Sequence, residues 1–437
     1  MRWVSLLILC AIAAVGAASY SILSILVEPI KADLSLTDGE IGFITGLMIA
    51  VVGALAAFPI GAAADRFGRS LVLACCILTW SAATAVLAFA SSKSVFALGV
   101  AGIILGEAAL IPLLYAMIPA MFSDKQRPTA NIVLVSVMVI GAYGVYAVLG
   151  TLLQTFEDWN TIPLAPWRGV CLVVALTGAA VTAALVMTPA RKENAPKVGA
   201  GDLRDQSFLT YLKREGPTLF LFYLAISLYF VAFTQGIMFW SPAILQRSYG
   251  LSAAEANIAL GTPLIAASAA GLALAYWLQR KLASRWGHAF GVRLVILACS
   301  VGIPIAALMP FAPTALAFVA AQSLLVVCMT LSMSVAPALL QDCAPDRYRS
   351  RVIALFPLVA VVVRIVIPWG IGGLSDAFGN IDRALLYINV GAMLISLPAS
   401  VWLLRSLEPR YLALAERVRR EDDAKNYASP GGVNLDR

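Results

Sequence analysis

The sequence predicts an all-α integral membrane protein whose twelve transmembrane helices form two six-helix halves. Composition is the first reason: 61% of the 437 residues are hydrophobic and only 13% are charged, whereas a soluble domain needs about 25% charge to cover its surface. Mean hydropathy is +0.87. Patterning is the second reason. Apolar runs of about 20 residues, the length that crosses a bilayer core, recur between charged or Pro/Gly-rich punctuation. The third is placement, since the one long polar connection, Pro189 to Pro217, falls between the sixth run and the seventh.

The first run, 3–27, follows Met-Arg-Trp and ends its first two-thirds in Ala17-Ala18-Ser19, which imitates a signal peptide. It continues apolar to Val27, however, beyond the roughly 7–15 residues of a signal-peptide core, and reads as a spanning helix. Runs 41–64 and 71–91 contain no charged residue and leave room only for a tight hairpin between them. Runs 95–121, 130–154 and 168–188 complete an N-terminal half, residues 1–188, followed by a polar linker, 189–216. The C-terminal half, 217–406, carries runs 217–243, 253–278, 289–310, 314–341, 352–374 and 384–405. In the tail, 407–437, the stretch Tyr411–Arg420 has apolar residues at helical spacing and is expected to lie along the membrane surface.

Lys and Arg orient the spans. With the N-terminus in the cytoplasm, one face collects Arg2, Arg66, Arg69, Lys125, Arg127, the linker, Arg280, Lys281, Arg285, Arg347, Arg349, Arg351 and the tail. The other face receives only Lys31, Lys93, Arg168, Arg247 and Arg383. That asymmetry puts both termini in the cytoplasm of a multi-pass inner (plasma) membrane protein. It also accounts for the net charge of +7 as topology, with no nucleic-acid partner. A weak repeat supports two halves: Phe122 to Arg127 after the fourth run corresponds to Cys343 to Arg349 after the tenth.

The composition excludes several chemistries. A single histidine, His288, and seven cysteines without CxxC spacing leave no metal cluster and no catalytic histidine. The cysteines read as helix-packing residues. There is no phosphate-binding Gly-x-x-x-x-Gly-Lys-Ser/Thr loop. No cofactor and no metal are expected, and a membrane enzyme acting on lipids is the weakest of three readings because its clustered acids are missing.

The stretch from Gly61 through Asp65, Arg66, Gly68 and Arg69 to Ser70 forms the hairpin between the second and third runs. Twelve spans with Gly-x-x-x-Asp-Arg-x-Gly-Arg at that place resemble the major facilitator superfamily over nearly the whole chain. Glu28-Pro-Ile-Lys-Ala-Asp-Leu-Ser-Leu-Thr-Asp-Gly-Glu40, Gly106-Glu107-Ala108 and Phe239-Trp-Ser-Pro-Ala243 are similar to the bacterial Spinster-like branch. That branch is associated in animals with lysolipids and sphingoid phosphates. Where it has an Asp-Arg pair in the first helix, this chain has Ser19 and Tyr20, and where it has an Arg before the helix-four Glu, this chain has Val100. The resemblance implies a secondary transporter of a small organic solute, a monomer working by alternating access. A transporter-like sensor without flux is the alternative.

Two charges fall near the middle of spans, Glu107 and Arg364. A charge at the bilayer centre costs about 3 kcal/mol on insertion scales, so each is a candidate for function as well as for helix packing. Arg364 keeps its charge at every physiological pH and offers a five-donor fork, which suits an anionic or amphipathic anionic cargo. Glu107 can change charge and so can carry a proton. Tyr20, Tyr146 and Gln235 lead the polar and aromatic positions expected to touch cargo, ahead of Tyr229, Gln322 and Asn389. The resemblance places Asp65 beside the start of the eleventh helix, with Arg349 and Arg351 adding to the attraction of that helix N-terminus for a carboxylate. This makes a cytoplasmic gate that holds the outward-open state. The matching turn of the second half carries Arg280 where the acid should stand, so the latch is expected to be one-sided.

Overall fold

A computed structural model describes residues 2–108, 110–123, 126–159, 164–187, 206–345, 352, 355–379 and 383–428. Among the described residues twelve helical rods cross the bundle, and several are broken midway. The first is α1, Arg2–Ile25. A short α2, Val27–Leu34, leads into the second rod, α3 (Asp38–Leu47) and α4 (Gly53–Phe67), joined by a π-turn at Met48–Val52. α5 (Arg69–Ala88) is the third, α6 (Lys93–Glu107) with α7 (Leu110–Met121) the fourth, α8 (Arg127–Asp158) the fifth and α9 (Pro166–Met187) the sixth. The seventh joins α10 (Gln206–Val231) to α11 (Phe239–Tyr249) through a π-turn at Ala232–Met238. α12 (Ala253–Trp286), α13 (Phe290–Leu308), α14 (Ala315–Gln341), α15 (Phe356–Ala377) and α16 (Ala384–Ala428) follow.

Local chemistry sets the rod ends. Thr37 and Ser252 each cap a helix start through a reciprocal pair with Glu40 and Glu255, while Ser92 and Thr314 cap with the hydroxyl alone. Gly68 turns the hairpin between α4 and α5 with φ +96°, a conformation that side-chain-bearing residues rarely adopt. Prolines free carbonyls inside rods. Pro368 has no N–H for the carbonyl of Arg364, and Pro112 none for that of Ala108, at the break between α6 and α7.

The rods pack as two groups, α1 with α8 and α9 and α5 with α6 and α9 on one side, α10 with α16 and α12 and α13 with α14 on the other. Three seams join the groups: α3 on α15, α8 on α12 and α1 on α11. All lie toward the end that carries Asp38 and Arg247. At the opposite end α4, the continuation of α3, barely touches α15 among the described residues. The seven cysteines are free thiols and all but Cys75 are buried among helices, as packing residues should be.

Two boundaries differ from the sequence reading. The linker expected over 189–216 falls partly outside the described residues, and α10 already begins at Gln206, so residues 206–216 are helix. The tail does not lie along the membrane surface as a separate segment. α16 runs straight on from the twelfth span to Ala428, and its buried Leu407, Tyr411, Leu414 and Val418 face the end of the bundle. Tyr411 stacks on Phe222 at 4.8 Å and donates to Asp342, and Arg417 pairs with the buried Glu215. Apolar spacing in the tail reads the same whether the face meets lipid or protein, which is why the sequence misassigned it.

Candidate functional site

The closed end is built from the segment between α1 and α3, where five charged residues lie within 28–40. Asp38 is at the centre, its side chain 2% exposed. It accepts from Lys31 Nζ at 2.6 Å, Ser375 Oγ at 2.7 Å, and both Arg247 terminal nitrogens at 2.5 and 2.7 Å. Arg247, from the last turn of α11, also pairs with Glu28. Lys93 pairs with Glu40 and Arg168 with Asp33 at the same end. Arg383 donates to the Ala312 carbonyl and lies over the Tyr249 ring. Four of the five basic residues assigned by sequence to the sparsely charged face thus meet carboxylates there. A charge buried this deeply survives only when fully paired. Asp38 is paired across the two groups of rods.

Backbone contacts tighten the same end. A Cβ on Gly42 would stand 2.2 Å from the Pro368 carbonyl oxygen, and one on Gly46 2.8 Å from the Arg364 carbonyl oxygen, the one that Pro368 leaves without a helical partner. Only glycine lets α3 approach α15 so closely. On the next seam Ser24 Oγ donates to the Phe239 carbonyl at 2.7 Å and lies 3.2 Å from the Tyr146 hydroxyl. Asn257 Nδ2 donates to the Ile25 carbonyl at 3.1 Å. Tyr146 therefore belongs to the inter-group seam in this conformation.

Farther along α15 the polar groups lack partners. Arg364 Nε, Gln235 Oε1 and Asn389 Oδ1 are buried without a hydrogen bond among the described residues. Buried polar atoms in native proteins are nearly always satisfied. Their elements converge. Gln235 precedes Gly236, which has non-helical dihedrals (φ −87°, ψ −108°) inside the π-turn. A Cβ on Gly236 would have Ile371 at 3.5 Å, and Ile367 and Asn389 Oδ1 at 3.9 Å. Arg364 shares the α15 face of Ile367 and Ile371, one turn nearer the linker end, because positions three and seven apart lie one above the other on a helix. Asn389 is oriented by its own Nδ2, which donates to the Leu385 carbonyl.

Glu107 ends α6 at the break in the fourth rod, where Gly106 packs on α5 against Cys76 and Trp80. Ile104, one turn earlier, touches the second rod near Gly53. Ser19 Oγ, where the branch has a charge, lies buried 3.1 Å from Thr84 Oγ1. The hairpin glycine Gly61 has no neighbour among the described residues within 4 Å of a Cβ position, and Arg66 lies over the adjacent Phe67 ring. Gly68 and Arg69 continue the hairpin, at the turn and at the first residue of α5. The side chains of Tyr20 and Asp65 fall outside the described part of the structure, and so do Arg349 and Arg351 altogether. A cavity of about 420 Å³ beside His288, Asp342 and Arg419 borders none of the residues expected at the site.

Sequence reasoning missed the cluster of Asp38, Arg247, Glu28 and Asp376. The signal was present: five charges within 28–40 on the face otherwise poorest in charge.

A family model described as Major Facilitator Superfamily matches residues 8–285. An MFS-type efflux pump of Mycolicibacterium smegmatis (strain ATCC 700084 / mc(2)155) is 26% identical over 392 residues, which is 85% of each chain. The crystal structure of a bacterial homolog to the human lysosomal transporter Spinster, in an inward-facing and unoccupied conformation, is similar with TM-score 0.71 and 22% identity over 96% of this chain and 98% of that one. A D-xylose-proton symporter is similar with TM-score 0.66 and 13% identity over 91% of this chain and 97% of that one. Since the family model runs from the first rod through the eighth and the likeness in fold through all twelve, the chain belongs to the major facilitator superfamily and is a secondary transporter rather than an enzyme.

Proposed function

We propose that this transporter moves an anionic or amphipathic anionic organic solute by alternating access, and that Arg364, Gln235 and Asn389 receive the cargo. One observation carries the reading: Arg364 Nε, Gln235 Oε1 and Asn389 Oδ1 are buried without a hydrogen bond among the described residues, on three rods of the C-terminal group that pack on one another. A transporter site needs groups that bind cargo and release it, and unmet donors and acceptors in a low-dielectric setting favour a polar ligand. The guanidinium selects a carboxylate or phosphate, and the two amide oxygens accept from hydroxyl or amine groups on the same molecule.

Charge asymmetry puts the Asp38 end outside and both termini in the cytoplasm. The conformation described here is then closed to the outside. Glu107, at a break in its helix, is the group suited to exchange a proton as cargo moves. The chain acts as a monomer, with Tyr20 and Tyr146 on the half opposite Arg364. Likeness to an efflux pump favours export of a cargo with an apolar part.

Thermal unfolding in detergent tests the cargo class. Lysolipids, aromatic acids and aliphatic acids are compared, and at least one anionic class should raise the midpoint. Arg364→Ala should abolish that rise, with Arg364→Lys restoring part of it because it keeps the charge and loses the fork. A rise of equal size in Arg364→Ala would sink the assignment. The buried Ser19–Thr84 pair at the branch's charged position favours a second reading, a sensor without flux. Vesicles reconstituted with the stabilising ligand decide it, since a sensor binds and does not accumulate.

A further inference from the structure

The hairpin sequence has a second copy, at the other end of the helix pair that the second and eleventh rods form. Gly61-x-x-x-Asp65-Arg66-Phe67-Gly68 ends the second rod, and Gly372-x-x-x-Asp376-Ala377-Phe378-Gly379 ends the eleventh with the same order of glycine, acid, phenylalanine and glycine. The second and eleventh rods run antiparallel and pack on each other, so the copies lie at opposite ends of one helix pair, their acids roughly 40 Å apart by helical rise.

The second copy is engaged. Asp376 Oδ1 accepts from the Asp38 N–H at 2.9 Å and Oδ2 from the Gly39 N–H at 2.7 Å. These are the first two amides of α3, and the third is taken by Thr37 Oγ1. A helix start leaves such donors unpaired and carries partial positive charge. Here they are satisfied by a carboxylate from the other group of rods, 338 residues away in sequence. The glycine of the copy is in contact as well, since a Cβ on Gly372 would lie 2.2 Å from the Asp38 carbonyl oxygen. Ser375, between them, donates to Asp38 Oδ2 at 2.7 Å. The glycine of the first copy, Gly61, has no such contact among the described residues. Basic residues accompany only the first copy, Arg66 and Arg69 against Ala377 and Asn380, as charge topology requires of motifs on opposite faces.

We infer that Asp376 with Gly372 is the outer gate of this transporter, the reciprocal of Asp65 with Gly61. Each rod of the pair ends in a carboxylate that closes on the amide end of the other, and engagement of one requires release of the other. The latch is therefore two-sided. Its second member is not in the turn that carries Arg280, where the repeat of the halves placed it, but at the far end of the eleventh rod. The inference rests on the alternating-access reading above.

The test uses a Ser24→Cys reporter, because Ser24 is buried in the closed seam on the Phe239 carbonyl. A membrane-impermeant maleimide is applied from the face carrying Asp38, and the chain with its seven native cysteines alone supplies the background. Asp376→Asn should raise reporter labelling about fivefold, the scale of a charge-assisted contact at a part-exposed helix start. Asp65→Asn should lower labelling below that of the parent, and the double variant should return toward it. Labelling unchanged by Asp376→Asn, or raised by both single variants, overturns the inference, the second outcome being what general loosening gives. Should Asp376→Asn fail to fold, Gly372→Ala must raise labelling in its place, and no rise overturns the inference equally. No cargo is needed. A chain without flux that shows the reciprocal shifts loses the transport reading and keeps the gate, and intact flux without them loses the gate alone.

Discussion

Asp38 shows what a single residue decides here. It sits at a helix start, where sequence rules predict an acid, yet its position brings in four donors from three other segments. Asp38→Asn removes the charge and leaves Lys31 and Arg247 facing a neutral group. Breaking a buried pair in this way costs about 3–5 kcal/mol, so the variant should unfold at lower temperature in detergent and label more readily at a Ser24→Cys reporter. Glu28→Gln touches the same Arg247 at a part-exposed position, and solvent screening there limits the loss to about 1 kcal/mol or less. Equal effects of the two variants on the unfolding midpoint would contradict the central place given to Asp38. Glu107 belongs at this scale too. Glu107→Gln should bind cargo and fail to concentrate it when an imposed proton gradient is the driving force, and undiminished accumulation would remove it as the coupling group.

Elements are held by glycine and by proline together. Gly42 and Gly46 on α3 face the bend of α15 at Pro368, and the contact is backbone to backbone. In an exposed helix Gly→Ala stabilises by roughly 0.5–1 kcal/mol. Gly42→Ala should act the other way, because the Pro368 carbonyl cannot move aside from a methyl group at 2.2 Å. The expected result is a transporter that cannot close at the Asp38 end, read as raised labelling there and lost flux. The extension of α16 is a second element whose role is structural. Tyr411→Ala removes the ring stacked on Phe222 and the bond to Asp342. Truncating a buried aromatic costs about 3–5 kcal/mol, so a clear fall of the unfolding midpoint is expected, and an unchanged midpoint would mean the tail is not docked. Element existence was legible from apolar runs, whose expected spans fall within or close to the observed rods. The breaks at Met48–Val52 and Ala232–Met238 were not legible, because a π-turn leaves the hydrophobic pattern of a span unchanged.

For the whole molecule, the three seams gather at one end, and among the described residues the second and eleventh rods barely touch at the other. On the alternating-access reading, a two-group bundle arranged so is one of two positions of a rocking pair, with cargo moving when the seams exchange. Composition, run length and the sorting of Lys and Arg determined by themselves that the chain is a multi-pass membrane protein with twelve spans, and the Gly61–Arg69 hairpin carried the resemblance to this superfamily. They also singled out Arg364, Glu107 and Gln235, since a polar group inside an apolar run is visible in one dimension. The tertiary structure alone decided the partners. Asp376 caps amides 338 residues away, Arg247 bridges Glu28 and Asp38, and Asn389 comes beside Gly236. Spans are fixed by local burial in lipid, which the sequence records residue by residue. Contacts between the halves depend on how two rigid groups meet, and no local pattern in the chain carries that placement.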